Sequence, residues 1–146
     1  MKTTERKKKG LRMTAAAAKA PTRFAKRRAP ARLPAALTIA IEAAREKKAR
    51  NVVVLNLRRS SAFTDYFVLC TGQNVRQVTA IADAVQEALR VLRLRPTHVE
   101  GYDRAEWVLM DYFDFIIHVF TPGTREFYSL DRLWGQAERL EIPDAP

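Results

Sequence analysis

A single cysteine, Cys70, is all the thiol this 146-residue chain contains. That excludes an internal disulfide framework and fits a reducing compartment. Histidine is nearly as scarce: two residues, with one cysteine, fall short of a zinc site of ordinary ligand spacing. The five glycines stand singly, so there is no glycine-rich phosphate loop. Thr71-Gly72-Gln73-Asn74 comes nearest. It reads as a strand-to-helix turn with a cap, although such a helix start can also hold an anion. Long apolar runs are missing as well. The longest, Phe115 to Phe120, is interrupted by His118 and is far below the ~20 residues that span a bilayer. No apolar segment follows the basic first residues, so a secretory signal is not expected.

Acid is missing from one end of the chain. Residues 1–32 hold 12 Lys/Arg against one acid, Glu5, a charge of +11. The remainder holds 14 Lys/Arg and 15 Asp/Glu, a charge of −1. The formal total of +10 therefore belongs to a tail. With almost no large apolar side chains, residues 1–33 cannot offset their ordering entropy by burial and are expected to form a mobile basic tail. A basic stripe across a fold points to nucleic-acid recognition by the fold itself; here only the tail invites that reading. Residues 34–142 have the length of one domain with its own core. Pro143 is expected to end ordered structure, leaving 143–146 as a short C-terminal tail.

The pattern changes after Pro34. Ala35 to Lys48 predicts a helix, with Leu37, Ile41 and Ala44 at helical spacing and Arg45, Lys47 and Lys48 at the cation-favouring end. Val52–Leu57 predicts a buried strand, and Asp65–Thr71 a second. Asn74 with Gln77 makes a capping-box pattern that opens a long helix. Val78, Ile81, Ala82, Val85, Leu89 and Leu92 form its apolar stripe, and Pro96 prevents it from continuing. Thr97–Glu100 predicts a short strand. Trp107–Asp111 and Phe115–Phe120 predict a hairpin pair. A last helix from about Thr124 places Phe127, Leu130, Trp134 and Ala137 on one side. The expected fold is a single α/β domain with a mixed sheet of about five strands and helices packed on it.

Two groups of residues invite a chemical reading. Asp111, Asp114 and His118 lie close in sequence, and a hairpin can bring carboxylates together for metal or acid–base work. The plainer account is that the aspartates flank a turn and bond local backbone. Alternation puts Ile116, His118 and Phe120 on one face and Phe115, Ile117 and Val119 on the other. His118 is then either a contact residue on a partly covered face or a satisfied core histidine. Cys70, inside a strand with no basic neighbour in sequence, reads as a buried structural thiol. Trp107 follows the acidic stretch Glu100–Glu106, and Tyr128 falls off the apolar stripe of its helix. Both residue types anchor protein interfaces. With Glu100, Asp103 and Glu106 nearby they would form an aromatic patch with an acidic rim, suited to a basic partner; the alternative is that both pack into the core.

The ordered string E-G-x5-W-x3-D-x6-H-x-F-x4-R-x2-Y-x-L-x2-L-W runs from Glu100 to Trp134. With Thr64-Asp65-Tyr66-Phe-Val-Leu-Cys70-Thr-Gly72 and Lys47-Lys48-Ala-Arg-Asn-Val upstream, it resembles the ribosomal silencing factors, or Iojap-like family, over about residues 36 to 135. The resemblance implies a fold related to nucleotidyltransferases but without their catalytic carboxylates. The Gly-Ser turn and paired acid-x-acid strand of those enzymes are absent from this sequence. It further implies binding to the large ribosomal subunit at its fourteenth ribosomal protein, which blocks small-subunit joining and lowers translation under nutrient limitation. Carried over, Trp107 and Tyr128 become partner-binding anchors with Glu100, Asp111 and His118 as neighbours. No catalytic, cofactor or metal residue is implied. Phe113 departs from the family, which often has glycine there, and the tail lies outside the likeness.

Other readings differ in class. One is an enzyme using Asp65, Asp111 and His118; another is an RNA-binding adaptor that works through the tail. In the leading reading residues 1–32 only supplement binding, by contact with ribosomal RNA. The free protein is also a candidate homodimer, through an exposed sheet edge or helix. An Arg- and Ala-rich, acid-poor start is typical of organelle transit peptides. Glu5 and Lys7-Lys8-Lys9 fit that poorly, so the cytoplasm is favoured over a mitochondrion or chloroplast.

Overall fold

The structure, a computed structural model, describes residues 33–60 and 62–146. The expected mobile tail therefore lies outside the described residues, except for Leu33, which packs against the core. Helix α1 (Ala35–Glu46) starts after Pro34 and buries Leu37, Ala40, Ile41, Ala43 and Ala44. Strands β1 (Arg50–Asn56) and β2 (Tyr66–Thr71) follow, then helix α2 (Val75–Val91). The Asn74 side chain accepts from the Gln77 N–H, and the Gln77 side chain accepts from the Gln73 N–H. This is the reciprocal capping that the sequence pattern predicts, displaced by one residue on the return bond. Val78, Ile81, Ala82, Val85 and Leu89 are fully buried. Leu92 is the C-cap and is exposed, so the buried stripe ends one turn earlier than its spacing predicts.

Strands β3 (His98–Glu100), β4 (Trp107–Asp111) and β5 (Phe115–Phe120) complete the middle of the chain. The remainder differs from expectation. The last helix is two short pieces, α3 (Pro122–Tyr128) and α4 (Leu130–Leu133), because Ser129 adopts left-handed backbone with φ 46°. A sixth strand, β6 (Glu138–Ile142), then adds to the sheet, which has six strands where about five were expected. Residues 143–146 are also tied down. The Pro143 carbonyl accepts from Arg45, the Pro146 carbonyl accepts from Lys48, and the Asp144 carboxylate accepts from the Asn51 N–H.

The strand order is β3-β4-β5-β2-β1-β6. Only the central β2–β5 pair is parallel; the others are antiparallel. Helices α1 and α2 pack on one face, over Val52, Val54, Val68, Cys70, Val108, Met110, Phe115, Ile117 and Val119. The opposite face carries a smaller cluster of Val53, Leu55, Leu57, Leu69 and Phe120, with Phe67, Trp107, Leu130 and Trp134 packed against it. Alternation along β5 thus runs as the sequence predicts.

Scarcity of glycine shows in the backbone. Both long helices end with the paired bonds of a Schellman motif. Ala49 N–H and Lys48 N–H reach Ala44 and Arg45; Leu94 N–H and Arg93 N–H reach Leu89 and Arg90. The left-handed position, which usually holds glycine, is occupied by Lys48 (φ 64°) and Arg93 (φ 66°). Arg93 is exposed. Replacing Arg93 by Gly is expected to stabilise the domain by about 1 kcal/mol through relief of left-handed strain. A raised denaturant midpoint at unchanged m-value would register it.

Candidate protein-docking surface

The partly covered face of the sheet collects the residues singled out by the sequence. Directly opposed residues in a sheet share a face. Register pairs Trp107 with Phe120, Leu109 with His118 and Asp111 with Ile116. It also pairs Glu100 with Leu109. Glu100, Trp107, Asp111 and His118 therefore lie on one side, and α3 brings Tyr128 to the same side. The Trp107 and Tyr128 rings lie 4.7 Å apart, centroid to centroid. Tyr128 is 50% exposed. Phe127, 78% exposed, meets Tyr128 edge to face.

Trp107 is held from below. Its indole N–H donates to His118 Nδ1 at 3.0 Å, and its ring lies against Phe120. An indole N–H can only donate, so His118 accepts on Nδ1 and carries its proton on Nε2. His118 is 3% exposed, beside Phe67 and stacked on Phe120. The expectation that His118 touches a partner is thereby corrected: the neighbouring rings exclude it from the surface, and it supports Trp107. Burial pushes its pKa down to about 3, so the ring is neutral near pH 7. Gly101 fixes the approach to this position. Its φ is 77°, and a Cβ there would collide with the Trp107 carbonyl.

The acidic residues of this segment reach solvent. Glu100, Asp103 and Glu106 are all exposed; Glu106 also pairs with Arg104 at 3.4 Å. Asp111 is half-buried, and its carboxylate accepts from the Phe113 N–H at 2.8 Å. That bond is the local turn role aspartate commonly plays, and it leaves Phe113 in left-handed backbone with φ 72°. Asp65 and Asp114 meet through backbone, the Asp114 carbonyl accepting from the Asp65 N–H. Neither Asp65 nor Asp111 is hydrogen-bonded to His118, whose ring bonds to Trp107. Cys70 is fully buried, and desolvation, offset in part by the Arg125 charge, pushes its thiol up to about 12. It has no role at the surface.

An open depression of about 500 Å³ lies beside α3, lined by Asn51, Thr71, Arg125, Ser129, Asp131 and Arg132 among others. It sits at the C-terminal ends of parallel β2 and β5, where open α/β sheets commonly hold ligands. Its central charged groups, however, engage one another. Arg125 bonds to both oxygens of Asp131, and to Asn51 and Thr71. Desolvation raises the Asp131 pKa, but the bonds and charge of Arg125, then Arg139, outweigh it and hold the carboxyl below its ordinary value. Among the described residues, no group of three or more His, Cys, Asp or Glu is placed to hold a metal ion.

Sequence reasoning missed two features here. Phe127 was expected on the buried side of one helix, and the break at Ser129 exposes it. Arg125 gave no local signal of its role, because Asn51 and Thr71 are distant in sequence.

Fold and surface together define a small mixed α/β domain that presents aromatic side chains on the less covered side of its sheet. Comparison with known proteins makes this specific. The family described as "Ribosomal silencing factor during starvation" matches residues 30–146, and the chain belongs to that family. It is 38% identical over 106 residues to the ribosomal silencing factor RsfS of Halalkalibacterium halodurans, covering 73% of this chain and 91% of that protein. It is 37% identical over 106 residues to the RsfS of Bacillus subtilis, covering 73% and 90%. A crystal structure of a Chromobacterium violaceum protein superposes with a TM-score of 0.69 at 29% identity, over 79% of this chain and 96% of that one.

Buried His118 makes the fold acid-sensitive. Its folded pKa lies below the unfolded value of about 6.5, so between the two the unfolded chain takes up the proton and stability falls as pH falls. One such group contributes a slope of at most about 1.4 kcal/mol per pH unit. Asp131, also depressed, withdraws its stabilisation only below the ordinary carboxylate value near 3.9. Urea unfolding from about pH 6.5 down to about 5 is expected to show the histidine slope in the native protein and its loss in His118→Leu.

Proposed function

We propose that this chain represses translation by docking on the large ribosomal subunit, at its fourteenth ribosomal protein, and sterically blocking the small subunit when nutrients are short. The observation that carries the reading is the Tyr128 ring, half exposed and packed on Trp107, with Glu100, Asp103 and Glu106 exposed in the segment that leads to Trp107. Membership of the ribosomal silencing factor family supplies the ribosomal context. Ribosomal proteins are generally basic, which suits Glu100, Asp103 and Glu106. Asp111 and His118 act one layer down: Asp111 sets the hairpin turn, and His118 fixes the indole.

The mechanism needs no chemical step. A folded body seated on a surface that both subunits must share excludes the second subunit by volume. An interface of about 800 Å² on each partner is ordinary for a domain of this size. Every ~1.4 kcal/mol of docking energy shifts the competition tenfold. Residues 1–32, with their charge of +11, add non-specific attraction to ribosomal RNA by releasing its counterions. The relatives reported above are bacterial, and the bacterial cytoplasm is the place we assign to the protein.

Two measurements test this. Tyr128→Ala removes a half-exposed ring and is expected to leave the unfolding midpoint nearly unchanged. It is expected to weaken co-sedimentation with isolated large subunits by about 2 kcal/mol, some thirtyfold. Trp107→Ala is the poorer probe, since it also strips His118 of its bonded donor. Adding small subunits to the preformed complex is expected to yield fewer joined ribosomes than in the untreated control. Unhindered joining, or turnover of a nucleotide by the purified protein, would falsify the proposal. Deleting residues 1–32 is expected to flatten the dependence of log affinity on log salt while leaving the Tyr128 effect in place.

A further inference from the structure

Helices α3 and α4 have seven and four residues and bury no side chain completely. Segments that short have no stability of their own, so their placement must come from attachments to the sheet. Leu130 and Trp134 supply apolar contact with the smaller cluster. Such contact is non-directional and does not by itself fix the rotation of α3 about its axis. Arg125 supplies direction. Its side chain is 12% exposed. Nε and Nη2 donate to the two oxygens of Asp131 at 3.2 and 3.0 Å. Nη1 donates to the Asn51 carbonyl at 2.6 Å and to the Thr71 hydroxyl at 3.0 Å.

Each partner belongs to a different piece of structure. Asp131 lies in α4, beyond the left-handed turn at Ser129, and is held in turn by Arg139 of β6 at 3.3 Å. Asn51 lies in the register shift between Arg50 and Val53 of β1, with φ 50°. Such a bulge leaves its extra residue out of the ladder, which makes the Asn51 carbonyl available to Arg125. Thr71 ends β2. Tyr128 follows Arg125 by three residues on the same short helix, so fixing the guanidinium fixes the azimuth at which Tyr128 projects.

We infer that Arg125 is the positioning residue of the docking face: its four-point clamp on Asp131, Asn51 and Thr71 sets the angle of α3 and so holds Tyr128 over Trp107. The inference rests on the docking role proposed above. Arg125 itself contacts no partner. A lysine in its place keeps the charge but cannot reproduce the planar fork.

The test is a double-mutant cycle on affinity for isolated large ribosomal subunits, using the full chain. Arg125→Met and Arg125→Lys are each measured alone and combined with Tyr128→Ala. Thermal midpoints for all variants confirm folding. Arg125→Met is expected to weaken binding at least fivefold when Tyr128 is present and less than twofold when it is alanine. Arg125→Lys is expected to fall between native and Met, and it carries the test if the Met variant does not fold. An equal loss in both backgrounds, or no loss in either, overturns the positioning role while leaving the docking reading intact. If Tyr128→Ala alone leaves affinity unchanged, the docking reading falls first and the clamp's role with it.

Discussion

A six-stranded sheet has two faces to shield from water, and among the described residues long helices cover only one of them. Helices α1 and α2, of 12 and 17 residues, cover the face that carries Val52, Val68, Ile117 and Val119. Among the described residues, the other face receives the short α3–α4 segment, with Ala62 and Ala137 beside it. Apolar side chains left there must either be few or cover one another, since unshielded apolar area costs about 25 cal/mol per Å². The chain takes the second course. Phe67, Trp107, His118, Phe120, Tyr128 and Trp134 form a connected set of ring contacts across the strands. At the end of this set Tyr128 is half exposed, and Phe127, edge to face against it, is more exposed still.

The same constraint explains the polar arrangement. A histidine beneath a half-covered aromatic layer is desolvated and kept neutral; the indole above supplies a donor to Nδ1, while Nε2 is buried without a hydrogen-bond partner. Aliphatic residues alone would bury more apolar area, but they would leave the indole N–H unpaired. Three residues before Tyr128, Arg125 forms a partly buried pair with Asp131. It gains from bonds to the Asn51 carbonyl and the Thr71 hydroxyl, which satisfy donors that a bare ion pair would leave wanting. Directional bonds thus fix what sparse apolar packing cannot.

Much of this was legible in the sequence, and the exceptions have physical causes. The stripe on α2 and its Asn74 cap follow from local rules, and so do the β-branched strands. Alternation along Phe115–Phe120 separates the faces correctly; which face is half covered depends on where α3 and α4 pack, and so His118 could not be placed. The break at Ser129 lacks a glycine or proline to announce it, and Phe127 continues the helical spacing across it. Strand β6, Glu138-Arg-Leu-Glu-Ile142, carries three charges in five residues and reads as a strand only through its pairing with β1. The clamp at Arg125 joins residues 54 and 74 positions apart, beyond the reach of any local pattern. Glycine scarcity was visible, but its consequence was not: among the described residues six others, Asn51, Phe113 and Ser129 included, take up left-handed backbone.

The placement of the indoles has an experimental consequence. The chain has two tryptophans, Trp107 and Trp134, and both pack against the smaller cluster rather than beneath the long helices. Ultraviolet emission excited near 295 nm therefore arises wholly from one side of the sheet. Fluorescence will report on events there and will be nearly blind to loosening of the helical layer. An unfolding curve recorded by emission and one recorded by far-ultraviolet circular dichroism thus watch different layers of the same molecule, and any gap between them would measure how independently the layers come apart.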